Sequence, residues 1–188
     1  MNKIYLDPDI YYIDNFLSQY EIDEIMKFAE EQDGWDYDSN PNIAMKAFSI
    51  KENVASIYND IKKRISGLLE NEEEYARGGG MIQKLINLGG DPVYGLGVHS
   101  DNHPYGDGMS IYVTKGYVIY LNNNFEGGEI DYVDKGIIMS PVPGRMVVHS
   151  GYDDNKHGIR KVTNGTRYMI TGFVFNNKPQ SEADPIGV

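Results

Sequence analysis

The sequence predicts a mainly β protein of the α+β class, a β-sandwich or jelly-roll core with supporting helices at its N-terminal end. Three observations predict it. Apolar residues recur at helical spacing in two stretches before residue 80, and not after it. From Met81 onward, short β-rich runs alternate with Gly, Asn, Asp and Pro turns at the spacing of all-β folds. The chain has 188 residues, 40% hydrophobic and 12% aromatic, enough for one domain with a substantial core.

The elements follow in order. Ile10–Ile13 reads as a short strand, and Asp14-Asn15-Phe16-Leu17 turns the chain into a first helix. Ser18 with Glu21 three residues on is a capping box, and Ile22, Ile25, Met26 and Ala29 form the apolar stripe that follows. Gly34 is the expected stop. A second helix is expected over about Glu52 to Ala76, with Val54, Ile57, Tyr58, Ile61, Ile65, Leu68 and Leu69 on one face. The run Gly78-Gly79-Gly80 is expected to break it as a flexible join; no Lys-Ser/Thr follows, so it is not a phosphate loop. Strands are then expected over Met81–Leu88, Tyr94–His99, Ser110–Leu121, Glu129–Tyr132, Gly136–Ser140, Arg145–His149, Gly158–Val162 and Tyr168–Phe175. The organisation is therefore a single domain over 1–188: helical support over 1–80, a β core over 81–176 and a polar tail over 177–188.

Composition narrows the chemistry. The chain has no cysteine, which excludes disulfides, thiolate metal sites and Cys nucleophiles, so a metal site has to use His and carboxylates. The formal net charge is −11, which argues against a nucleic-acid partner. The densest basic stretch is Lys156 to Arg167, with Arg160 and Lys161 between, too short to change that reading. No apolar run is long enough to span a bilayer, and acidic residues stand where a signal peptide needs an apolar block. A cytoplasmic protein without a membrane partner is expected.

His99-Ser100-Asp101 carries the chemistry. Residues two apart on a strand face the same side, so both side chains can reach one ion. His157, from a neighbouring strand or loop, would complete a 2-His-1-carboxylate set, which leaves coordination positions of Fe(II) open. The His-x-Asp pair alone is short enough to arise by chance, and its flanks raise it. His149 is the rival ligand; in the apolar strand Met146-Val147-Val148-His149 it reads as a packing residue or one standing behind the ligands. His103, in the polar loop Asn102–Met109, reads as facing solvent.

Three stretches resemble the prolyl 4-hydroxylase-like branch of the 2-oxoglutarate/Fe(II)-dependent dioxygenase superfamily. They are Val98-His99-Ser100-Asp101; Tyr120-Leu121-Asn122 with Phe125-Glu126-Gly127-Gly128-Glu129; and Pro143–Ser150 followed by His157–Val162 and Gly165-Thr166-Arg167-Tyr168. The opening Asp14-Asn15-Phe16-Leu17-Ser18 is similar as well. The resemblance implies a double-stranded β-helix (jelly roll) over about residues 81–176, with His99, Asp101 and His157 on Fe(II). It further implies 2-oxoglutarate as co-substrate, O2 as oxidant and ascorbate as reductant. Arg167 would offer its planar fork to the 5-carboxylate of 2-oxoglutarate, with Thr171 and Tyr120 beside it. The family's Tyr three residues before the first His is replaced by Leu96, and Tyr94 is the candidate for its place. The implied reaction is hydroxylation of an unactivated C–H bond, first of a prolyl residue in a peptide or protein, with release of succinate and CO2. An oxygenase of the same fold acting on a free amino acid or small metabolite, and a non-catalytic jelly-roll binding module, are the competing readings. Repair of alkylated nucleic acid would want a basic groove and a second Arg after the first, which Tyr168–Phe175 lacks.

Overall fold

The computed structural model describes residues 1–31, 48–49, 54–71, 74–86, 91–102 and 112–176. The order of elements is β1 (Ile4–Asp7), β2 (Ile10–Ile13), α1 (Gln19–Glu30), β3 (Phe48–Ser49), α2 (Ala55–Leu69), β4 (Tyr75–Ile86), β5 (Tyr94–His99), β6 (Val113–Tyr120), β7 (Ile130–Tyr132), β8 (Ile137–Met139), β9 (Met146–Ser150), β10 (His157–Arg160) and β11 (Thr166–Phe175), with a 3-10 turn at Asp153–Asn155. Among the described residues the strands form a seven-stranded sheet, β1-β2-β9-β6-β11-β4-β3, and a four-stranded sheet, β5-β10-β7-β8. Every pairing is antiparallel. This is a jelly roll with helices on the outside of the larger sheet.

Period-two alternation divides the larger sheet's strands between two cores. On the outer face Ile13, Tyr117, Ile119, Met146, Val148, Ile170 and Val174 pack against Ile22, Ile25 and Ala29 of α1 and Ile57, Ile61, Ile65 and Leu69 of α2. On the inner face Ile10, Val118, Tyr120, Val147 and Met169 meet Ile130, Tyr132, Met139 and Ile159 of the smaller sheet. The functional residues line the space between the two sheets.

The capping box forms as expected. Glu21 N–H donates to Ser18 Oγ at 3.3 Å and Ser18 N–H donates to Glu21 Oε2 at 2.8 Å. Arg64 of α2 then ties the two helices together: it donates to Glu21 Oε1 and to the Phe16 carbonyl, with its guanidinium over the Phe16 ring.

Three expectations are corrected. The second helix ends at Leu69, and the chain is already extended at Tyr75. Gly78-Gly79-Gly80 is part of β4 and not a join; Gly78 pairs with Gly172 of β11. Pairing with β11 at Gly78 and again at Ile82, on either side of a register shift that takes in Gly79 and Gly80, keeps the run within the strand although glycine's own entropy disfavours it. The N-terminal stretch is also not purely helical support, since β1 and β2 add two strands to the larger sheet beside β9. Gly34, His103 and the tail from 177 lie outside the described residues.

Candidate metal and co-substrate site

His99 ends β5 and His157 opens β10, and the two stand directly opposite each other in the ladder. Their rings are 4.7 Å apart, centroid to centroid. Asp101 follows His99 by two residues and turns its carboxylate to the same side. One ligand atom from each of His99, Asp101 and His157 lies within 4.8 Å of the others. Asp101 Oδ1 is 3.6 Å from His99 Nε2 and 3.9 Å from His157 Nε2, so these three atoms surround one point.

The other ring nitrogens set which atom is free. His99 Nδ1 is 2.8 Å from the Gly97 carbonyl, and His157 Nδ1 is 3.0 Å from the Asn155 carbonyl. A carbonyl can only accept, so both Nδ1 atoms carry the proton and both Nε2 lone pairs face the common point. Burial pushes the His157 pKa down to about 4; His149 nearby works the same way and Asp101 opposes both. The ring is therefore neutral near pH 7, the form that binds a metal. Burial opposes the charge of Asp101, but the hydrogen bond from His149 and the surrounding imidazoles outweigh it and hold its pKa below the usual carboxylate value. Two imidazole nitrogens and one carboxylate oxygen converging on one point suit Fe(II).

Arg167 lies further along the inner face, on β11. It is fully buried, yet Nε and Nη2 have no hydrogen-bond partner among the described residues. Nη1 is turned to Met169 Sδ, a weak acceptor. The Tyr120 ring lies 5.2 Å from the guanidinium carbon, and the buried Tyr120 hydroxyl is likewise without a partner. Burial lowers the Arg167 pKa from its ordinary value, with Tyr120 and Glu129 opposing. A buried guanidinium with idle donors is costly unless an anion arrives to satisfy it. Thr171 sits two steps beyond Met169, opposite Val118, and shares this face. The turn at Gly127 and Gly128, with φ of 78° and 72°, closes over the arginine stem. A Cβ on Gly128 would come within 3.0 Å of Arg167 Cδ, so this position needs glycine for approach as well as for conformation.

Residues 86–175 match the 2OG-Fe(II) oxygenase superfamily. That match covers most of the jelly-roll part of the chain. No curated protein sequence matches the chain. Among solved structures, the chain is similar to the viral collagen prolyl hydroxylase of Paramecium bursaria Chlorella virus-1 in complex with 2OG, with TM-score 0.67, 16% identity, and 90% of this chain and 96% of that one covered. It is similar to a prolyl hydroxylase from Trichoplax adhaerens in complex with a hypoxia inducible factor peptide fragment, with TM-score 0.61, 18% identity and coverages of 89% and 84%. A Pseudomonas putida prolyl-4-hydroxylase gives TM-score 0.58, 15% identity and coverages of 91% and 94%. At these identities the likeness concerns the fold.

The 2OG-Fe(II) oxygenase fold brings most of the sequence-derived candidates to one space: His99, Asp101 and His157 at one end, Arg167 and Tyr120 at the other, and Thr171 between them along the strand face. Tyr94 is the exception and is corrected. Its hydroxyl donates to Asp131 Oδ2 at 3.2 Å, and its ring covers the face of Gly158. Gly158 follows His157, so that face points away from the metal ligands. Leu96 packs into the inter-sheet core instead. Sequence reasoning also missed the partners of His149. Its Nε2 is 2.9 Å from Asp101 Oδ2, and its Nδ1 is 2.9 Å from the Tyr132 hydroxyl.

Proposed function

We propose that this chain is an Fe(II)- and 2-oxoglutarate-dependent dioxygenase that hydroxylates an unactivated C–H bond of a peptide or protein, with a prolyl residue as the target, releasing succinate and CO2. The observation that carries this reading is the buried Arg167, whose idle donors share the inter-sheet space with a 2-His-1-carboxylate cluster. A small diacid answers both ends, one carboxylate at the metal and the other on the guanidinium. The prolyl target is supported by the names of the structural relatives and by the sequence resemblance of the three motif stretches.

In this reading His99, Asp101 and His157 hold Fe(II), which when bound supplies the O2 chemistry that oxidises 2-oxoglutarate and the substrate C–H. Arg167 binds the 5-carboxylate through Nε and Nη2, and the Tyr120 hydroxyl donates to the same group. Thr171 adds a hydroxyl on the adjacent step of the strand. Val118, Val147 and Ile159 line the rest of the inter-sheet space and exclude water from it. The Gly97 and Asn155 carbonyls keep the two imidazoles oriented. Ascorbate enters as the external reductant that restores Fe(II) after uncoupled cycles.

Purified protein given Fe(II), 2-oxoglutarate, ascorbate and air is expected to release succinate faster with proline-containing peptides than without. The peptide should gain the mass of one oxygen atom. Stimulation by free amino acids alone would move the assignment to a small-molecule hydroxylase of the same fold. Absence of succinate from protein shown to hold iron would exclude the dioxygenase reading.

A further inference from the structure

We propose that His149, itself held by Tyr132, is the positioning residue for the metal-binding carboxylate of Asp101. This rests on the reading of His99, Asp101 and His157 as the metal ligands. Asp101 uses its two oxygens differently. Oδ1 faces Nε2 of His99 and His157, and Oδ2 is 2.9 Å from His149 Nε2. His149 is 2% exposed and lies on β9, not on the strands that carry the ligands. The inner-face alternation that puts Val147 into the core puts His149 there too.

One proton assignment satisfies the whole chain of contacts. A phenol carries its proton near pH 7 and can donate it. The phenol donates to His149 Nδ1, His149 Nε2–H donates to Asp101 Oδ2, and Oδ1 is left to face the metal position. Both nitrogens of His149 are then occupied, so it is not a fourth ligand. The hydrogen bond restrains the carboxylate from rotating and would leave Oδ1 as the oxygen to offer an ion.

The sheet is built to admit this pair. Gly116 of β6 stands opposite His149 in the ladder. A Cβ at Gly116 would lie 2.3 Å from Asp101 Oδ2 and 2.4 Å from His149 Nε2. Its φ lies outside the left-handed region, so alanine there is strained by these two atoms and not by its own backbone. The glycine is thus explained by the hydrogen bond passing across it.

The test is metal binding to the apo protein, followed by titration with Co(II) and its visible d–d spectrum, with circular dichroism to establish folding. His149→Phe, which fills the space without a donor, is expected to weaken Co(II) binding about 10–100-fold, the usual loss for a partner behind a ligand. His149→Gln keeps an N–H donor and should recover most of that loss. Gly116→Ala removes no ligand and no donor, yet should weaken binding in the same direction and alter the Co(II) spectrum. Tyr132→Phe should give a smaller loss that disappears in the His149→Phe background, because the two act through one chain. The controls are His99→Ala and His157→Ala. If they bind Co(II) as the wild type does, the ligand assignment itself is wrong. If they lose it while His149→Phe and Gly116→Ala bind normally, the positioning role is wrong. If His149→Phe abolishes binding as fully as His157→Ala, His149 is a ligand and the proposal fails.

Discussion

A histidine binds a metal through a nitrogen without a proton, and backbone carbonyls decide which nitrogen that is here. The Gly97 and Asn155 carbonyls take the Nδ1 protons of His99 and His157 and leave both Nε2 atoms to converge with Asp101 Oδ1. Single substitution of His99, Asp101 or His157 by alanine is therefore expected to lower Fe(II)-dependent succinate release by more than about 100-fold, beyond what loss of a supporting partner costs. Circular dichroism should still report a folded protein. Arg167→Ala is expected to leave iron affinity unchanged and raise the KM for 2-oxoglutarate about tenfold or more, since a hydrogen bond to a charged group contributes about 1.5–3 kcal/mol. A steady-state titration with unchanged KM would take Arg167 out of the site. The convergence of His99 with Asp101 was legible from their separation of two residues, although Asp101 lies just past the end of β5 and not on the strand. The Tyr94 placement was not. The register shifts twice between His99 and Tyr94 against β10, and each shift changes which face a residue takes. The pairing of His149 with Asp101 was hidden for a different reason: two residues 48 apart meet only once β9 and β5 belong to facing sheets.

At the scale of elements, the helices support the larger sheet from outside, and their patterns were legible because they are local. Ser18, Glu21 and the stripe through Ile22, Ile25 and Ala29 are signals within a few residues of each other. The strand positions were readable to within a few residues from Tyr94 onward, and of β4 the half from Met81 was read as strand while the stretch from Tyr75 to Gly80 was not. Nothing local tells a Gly-Gly-Gly run that β11 will pair with it. Two stability predictions belong here. Ser18→Ala removes the cap of α1 and should cost about 1 kcal/mol. Ile61→Ala, at a fully buried position where α2 meets the sheet, should cost about 2–5 kcal/mol by leaving a cavity. Urea denaturation followed by circular dichroism reads both. Loss of Ser18 should leave the KM for 2-oxoglutarate unchanged, because the helices lie on the far side of the sheet from the site.

Across the whole molecule, the proposed function would divide the work of binding between the two sheets. His99 and His157 lie on the smaller sheet and Asp101 directly follows it, whereas Arg167, Tyr120 and Thr171 belong to the larger one. A metal alone engages one side of the sandwich. A diacid held by the metal and by Arg167 ties both sides together. Metal binding should therefore stabilise the fold modestly, and 2-oxoglutarate should add to it only when metal is present. A ligand at 100 times its Kd contributes about 2.7 kcal/mol to the folded state, so thermal unfolding can resolve the two increments. With Mn(II) as a redox-inert stand-in, the Tm should rise on adding metal and rise again with 2-oxoglutarate, which alone should do nothing. Arg167→Ala should keep the first increment and lose most of the second. His157→Ala should lose both. A 2-oxoglutarate increment that persists without metal, or that survives Arg167→Ala in full, would mean that the diacid does not bridge the sheets. In the second case the buried guanidinium would need some other anion to account for its idle donors.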